Sequence, residues 1–311
     1  MKKIFTYVLF GALFFVLAAE MGCAKQDLDR RKNEGFVKID LSWAGDTPKG
    51  SKFYFYPLED VDTGEFTLEN PVESTAEGWS GNLPAGSYRV IVHNSDAAGV
   101  DMRYQDNYDQ AEIYVLPAQG SRADECICHP DKLMLATAIN EHDEGLLVVP
   151  SQERVTVSAT PTPRVKYLRI LFKVDDAIAL STGMLSGVAP SLHCASSACA
   201  STSERVELTV VHSTESGYAY QADIRVLDLV RPTNASHVLT LNLTHPDGSP
   251  YSVTVDLTAA VNNIFTANGG SLPVNDQYNP YDIPIELKKI GNDLKATVLE
   301  WSEGTGEGKL E

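Results

Sequence analysis

Cys126-Ile127-Cys128-His129, with His193-Cys194 and Cys199, gathers enough sulfur and imidazole in the middle of the chain for a zinc site. Structural zinc sites usually separate paired cysteines by two to four residues, whereas one residue separates Cys126 from Cys128. In an exported protein such thiols oxidise more readily than they bind metal. Disulfides, in any of three pairings, are therefore the first expectation, free thiols the second, and metal on Cys126, Cys128, His129, Cys194 and Cys199 the last. Asp96, Asp101, Asp106 and Asp109 are hard oxygen ligands in one loop, but without the order of an EF-hand they read as a solvated acidic loop. Gly304-Thr305-Gly306-Glu307-Gly308-Lys309 lacks the spacing, the Ser or Thr, and the helix of a phosphate loop, so residues 303–311 read as a flexible tail. No Gly-x-Ser-x-Gly elbow occurs and the seven histidines are scattered, so no catalytic residue and no cofactor is assigned. Trp79, Tyr104 and Tyr108 have rings suited to stacking on sugars, although packing in a core or loop is the commoner fate of such residues.

The ends and the charge place the chain. Lys2 and Lys3 precede an apolar run from Ile4 to Ala19 that ends at Glu20-Met21-Gly22-Cys23, which reads as an export signal rather than a spanning helix of about 20 apolar residues. Gly22-Cys23 resembles the end of a bacterial lipobox, in which the signal (1–22) is cut before a cysteine that then carries lipid such as palmitate; Glu20 stands where Leu is usual. Cys23 is the expected lipidation site and the outer membrane the expected location, surface-exposed. Residues 23–35 are polar and aperiodic, a tether between lipid and fold. Net charge is −17, and −18 without residues 1–22, a sign that repels phosphate backbones, so no nucleic-acid partner is expected.

The elements that would position any site are strands. Leu83-Pro84-Ala85-Gly86 is a turn, and Tyr88, Val90 and Val92 follow with period two on one face. Val37, Ile39 and Leu41 alternate likewise. Phe53-Tyr54-Phe55-Tyr56 is aromatic on both faces, and Phe66 and Leu68 hint at a further strand. Leu133 to Ile139 reads as a short helix. Thr160-Pro161-Thr162-Pro163 suits a linker or edge segment, and beyond it Leu168, Ile170, Phe172 and Val174 restart the alternation. Later runs around Leu208, Ile224, Leu241 and Val253 continue it, a helical turn follows near Thr258 to Asn263, and the chain closes in a hairpin from Ile283 to Val298. Asp282 to Trp301 is either internal to the second sandwich, the preferred reading, or an edge for a partner strand. The pattern predicts an all-β protein with an N-terminal β-sandwich over 36–160 and a C-terminal one over 161–302.

Phe36 to Trp43, the Pro48-Lys49-Gly50 turn before Phe53 to Pro57, and Leu83 to Asn94 resemble the first domain of the Bacteroidales fimbrial anchor lipoproteins associated with fimbrillin pili, the type V fimbrial anchor-like family. Met184 to Ala189, Asp256-Leu257-Thr258 and the terminal strand reaching Trp301 are similar in kind. The same patterns fit related domain families of unknown role in these bacteria. The resemblance implies two tandem transthyretin-like β-sandwiches, no catalytic residues, and a surface lipoprotein that anchors or helps assemble fimbriae, with fimbrial subunits as partners through strand pairing. The alternative is a surface glycan-binding lipoprotein.

Overall fold

The computed structural model describes residues 33–61, 69–119, 126–139, 145–174, 179–244, 247–270, 272, 275, 279–290 and 293–299. The export signal, Cys23, Phe66, Leu68, Trp301 and the glycine-rich tail lie outside the described residues.

The chain is all β, as its alternating pattern requires, and builds tandem sandwiches. The first half contributes β1 (Glu34–Leu41), β2 (Ser51–Pro57), β3 (Val72–Ser74), β4 (Gly78–Pro84), β5 (Gly86–Asn94), β6 (Val100–Arg103), β7 (Glu112–Val115), β8 (Met134–Ala136), β9 (Leu147–Val149), β10 (Arg154–Ala159) and β11 (Thr162–Pro163). From the second come β12 (Lys166–Val174), β13 (Ala179–Val188), β14 (Ser191–His193), β15 (Glu204–Thr209), β16 (Val211–His212), β17 (Tyr220–Val226), β18 (Val238–Thr244), β19 (Pro250–Asp256), α1 (Thr258–Ala267), β20 (Tyr281–Ile290) and β21 (Asp293–Val298).

In the first sandwich a sheet of order β10-β1-β4 faces one of order β11-β8-β5-β2-β3, with β9 also on β5. In the second, β16-β17-β12-β20-β21 faces β15-β13-β18-β19. Each half is closed the same way. β1 lies parallel to β10, with Val37 opposite Val155, and β12 lies parallel to β20, with Ile170 opposite Ile283, so an early and a late segment of each half hold one another. Parallel neighbours cannot be joined by a tight hairpin, and here the rest of the half supplies the crossover.

Tyr88, Val90 and Val92 share a face and are fully buried, as their spacing predicts, together with Val37, Ile39, Phe53 and Phe55 in the core of the first sandwich. The opposite face of that sheet is buried too. Tyr54, Tyr56 and Ile91 join a second and larger core that continues into Ile170, Phe172 and Leu239 of the second sandwich. The Phe-Tyr-Phe-Tyr run is thereby explained: phenylalanines point into the first core, tyrosines into the seam between sandwiches.

Leu133 to Ile139 corrects the sequence expectation. It carries β8, not a helix, because Ala136 and Leu135 pair with Val92 and His93 of β5 on one side while Leu135 and Met134 pair with Thr162 and Pro163 on the other. Pairing on both edges outweighs the helix propensity of its Leu, Met and Ala residues. The Thr162-Pro163 pair serves as an edge strand of the first sandwich, a position where a missing proline N–H does no harm. The helical turn near Thr258 is a ten-residue helix whose Val261, Ile264 and Phe265 dock on the larger core.

Candidate functional site at the seam

A fifth sheet fastens the halves together. Its order is β14-β7-β6, so a strand of the second half completes a hairpin of the first, with Leu192 opposite Ile113. Met102, Ile113, Val115 and Leu192 from this sheet are buried in the larger core.

The cysteine-rich segment turns out to be part of the same fastening. The Ile127 N–H donates to the Arg205 carbonyl at 2.8 Å, and His129 spans two strands of the second sandwich: its Nε2 donates to the Glu207 carbonyl at 2.8 Å while its Nδ1 accepts the Arg225 N–H at 3.1 Å. With both ring nitrogens occupied, His129 has no lone pair to offer a metal. Cys128 donates its thiol hydrogen to the Gly99 carbonyl at 3.3 Å. Among the described residues no three His, Cys, Asp or Glu side chains converge as a metal set. The expectation of disulfides is corrected: Cys128, Cys194 and Cys199 stand as thiols. Burial pushes the Cys194 and Cys199 thiols up to about 12, so they are protonated and unreactive at neutral pH.

The acidic loop is dispersed in the same way. Asp109 pairs with Arg89 at 2.8 Å, Asp101 caps the Met102 N–H at 2.8 Å, and Asp96 accepts from Asn94 at 2.7 Å and from the Lys49 N–H at 3.1 Å. Of the three aromatics singled out, Trp79 packs on Phe55 with centroids 4.8 Å apart and Tyr108 packs edge-on to Tyr56 at 5.5 Å. Tyr104 is exposed, with Arg103 over its ring.

His93 sits on the seam side of β5. Its ring stacks on Tyr54, Nδ1 donates to the Asn94 carbonyl at 2.9 Å, and Nε2 accepts from the Tyr54 hydroxyl at 3.4 Å. Burial lowers its pKa from 6.5 to about 4, partly offset by the bond to Asn94. Between those values the unfolded chain binds more protons than the folded one. The contribution of His93 to stability is complete above pH 6.5 and disappears as pH falls toward 4, a swing on the order of 3 kcal/mol. His93→Gln should flatten the slope of unfolding free energy against pH in that window, measured by urea denaturation; an unchanged slope would show that the histidine is not neutral and buried as described.

Beside His93 the seam opens into a cavity of about 440 Å³. One wall is the Ala44 to Pro48 turn with Asn94, Asp96 and Lys132–Met134; the other is Pro163, Val165, Tyr167 and Asn275. Asparagine amides build both walls, because a side-chain amide carries the same donor and acceptor as a peptide. Asn94 donates to the Lys132 carbonyl at 2.8 Å and accepts the Met134 N–H at 2.7 Å, and Asn275 accepts the Tyr167 N–H at 2.8 Å while donating to its carbonyl at 2.7 Å. Behind the second wall Lys166 and Asp228 form a buried ion pair at 2.5 Å, and Lys166 also donates to the Leu272 carbonyl. Burial raises the Asp228 pKa, opposed by Lys166. Asn94 was visible in the sequence only as a strand end; nothing in local spacing singles out Lys132, Tyr167 or Asn275, since Lys132 meets Asn94 across 38 residues and Tyr167 meets Asn275 across 108.

The class defined by this architecture is a tandem β-sandwich protein whose halves share a sheet and a core. The chain belongs to the family described as domain of unknown function (DUF5119), whose model matches residues 22–209. No curated protein matches it. Among solved structures it resembles a candidate adhesin from Bacteroides ovatus, at 17% identity and a TM-score of 0.57 over 83% of this chain and 90% of that one. It also resembles a candidate polysaccharide-binding protein from Bacteroides thetaiotaomicron, at 10% identity and a TM-score of 0.51 over 86% and 96%. The fimbrial anchor protein Mfa2 from Porphyromonas gingivalis aligns at 12% identity over 85% and 95%, with a TM-score of 0.49. At these identities the likeness is one of fold.

Proposed function

We propose that this chain is a non-enzymatic surface lipoprotein that anchors or helps assemble a fimbria at the outer membrane. The observation that carries the reading is the seam: an interlocked sheet and a continuous core turn two sandwiches into one body suited to bearing load between a membrane and a filament. The export signal ending at Gly22-Cys23 supplies the membrane end, and the fold shared with the candidate adhesin from Bacteroides ovatus supports a surface role. For the filament end, among the described residues β21 pairs with β20 alone and is an edge strand of its sheet, with Ala296 and Val298 packed inward and Lys295 and Thr297 exposed. An edge of this kind accepts a partner strand by β-augmentation. No helix among the described residues is long and apolar enough to cross a membrane.

Cys23→Ser tests the reading. Each buried methylene of an acyl chain contributes about 0.8 kcal/mol, so its loss should move the protein from the membrane pellet to the soluble fraction and shed fimbriae into the medium. A variant that still fractionates as an integral membrane protein would refute lipid anchoring at Cys23; released protein with fimbriae still attached would refute the anchoring role. A second reading, a surface glycan-binding lipoprotein, is favoured by the cavity at the seam and by the fold shared with the polysaccharide-binding candidate.

A further inference from the structure

We infer that the seam cavity binds a neutral saccharide, held between the Lys132 and Asp96 wall of the first sandwich and the Tyr167 and Asn275 wall of the second. The inference rests on the second reading above and is independent of the anchoring role. At about 440 Å³ the cavity falls within the rough 300–1,000 Å³ range of small-ligand sites.

The lining chemistry selects the ligand by what each wall has left to offer. An extended peptide needs a strand edge with a row of free backbone groups; the strand parts of these walls are already bonded, and the bends at Ala44–Asp46 present no such row. Asn94 holds the Lys132 carbonyl and the Met134 N–H, Asn275 holds both backbone groups of Tyr167, the Ala44 N–H is bonded to the Pro161 carbonyl, and Pro48 and Pro163 have no N–H to give. An anion meets two carboxylates, Asp46 and Asp96, against one ammonium, Lys132, on a chain of net charge −17. A wholly apolar ligand would strip water from those same charges without replacing it. An uncharged ligand rich in hydroxyls satisfies all of them. Its hydroxyls donate to the carboxylates and accept from Lys132, while Pro48, Pro163, Met134 and the Tyr167 ring offer apolar surface to its C–H faces.

The walls are rigid enough to discriminate. Asn94 has both amide hydrogens and its oxygen bonded, and the buried Lys166–Asp228 pair, whose lysine is next in sequence to Tyr167, holds both backbone groups of Leu272. Little ordering is left for the ligand to induce.

The test uses the full-length chain, titrated with cellobiose, maltose, lactose, mannobiose and diacetylchitobiose, with inorganic phosphate and glucuronate as anionic controls, by calorimetry and saturation-transfer NMR. At least one neutral disaccharide should bind with a Kd at or below about 1 mM. Thr47→Trp, which adds bulk at the exposed rim, and Lys132→Gly, which suits the positive φ of 49° at that residue, should each weaken binding about tenfold while Tm without sugar stays unchanged. Binding that survives both variants overturns the site but leaves the glycan reading standing. Binding of the anions alone overturns the ligand class, and absence of any binding at about 10 mM overturns both the site and the glycan reading.

Discussion

Gly86→Val should destabilise the protein by about 3 kcal/mol or more, enough to lower Tm by roughly 6–12 °C in a chain of this size. Gly86 opens β5 with φ +137°, a region closed to β-branched residues. A Cβ there would lie 2.6 Å from Val61 Cγ2, 3.1 Å from Val61 Cα and 3.3 Å from the Asp60 carbonyl, so backbone as well as side chain would have to move. That backbone is itself tied down: the Leu58 N–H bonds to the Ser87 carbonyl, and the Val61 N–H to the Leu58 carbonyl. Strain and overpacking therefore add, each costing about 1–3 kcal/mol. Gly86→Ala should retain most of the effect, since the clash begins at Cβ. Thermal unfolding followed by circular dichroism reads the outcome, and an unchanged Tm for either variant would show that the turn before β5 is not built as described.

The turn at Gly86 and the alternation after it were legible because both depend on a few adjacent residues and a period of two. So were most strands, for the same reason. What period two does not say is which core a face belongs to. Tyr54, Tyr56 and Ile91 alternate with Phe53, Phe55 and Val90 in a pattern that an isolated sandwich with one wet face would not produce, and the tyrosine side is dry because a second sandwich covers it. Leu133 to Ile139 misled for a related reason, since its strand character comes from two neighbours and not from its own residues. The cysteine pattern drew attention to the right segment for the wrong chemistry: Ile127 and His129 are stitched across the seam by hydrogen bonds, and their bonding partners lie about eighty to a hundred residues away. Least legible were the asparagines. Asn94 showed in sequence only as a strand end and nothing singled out Asn70 or Asn275, yet each amide stands in for a missing strand neighbour, Asn70 by accepting from the Phe55 N–H at 3.1 Å and donating to its carbonyl at 3.0 Å.

The seam makes a prediction about cooperativity with an equally large expected effect. The first core is self-contained within residues 37–159, whereas the larger core mixes residues of both halves, so opening the second sandwich must expose Tyr54, Ile91 and Ile113 of the first. The intact chain should therefore unfold in a single transition despite containing two sandwiches, which as separate domains would unfold independently. Leu192 is the residue to break. It is buried in the sheet that interlocks the halves, opposite Ile113, and it contributes to the larger core but not to the first. Leu192→Asp places a carboxylate where no cation is paired with it, at a cost of about 4 kcal/mol or more, borne by the seam and the second sandwich. Calorimetry of the variant should show two transitions, the upper one belonging to the first sandwich and still sensitive to Gly86→Ala. Two resolved transitions in the unaltered chain would mean that the seam does not couple the halves, and a body that yields there would be a poor tie between a membrane and a filament.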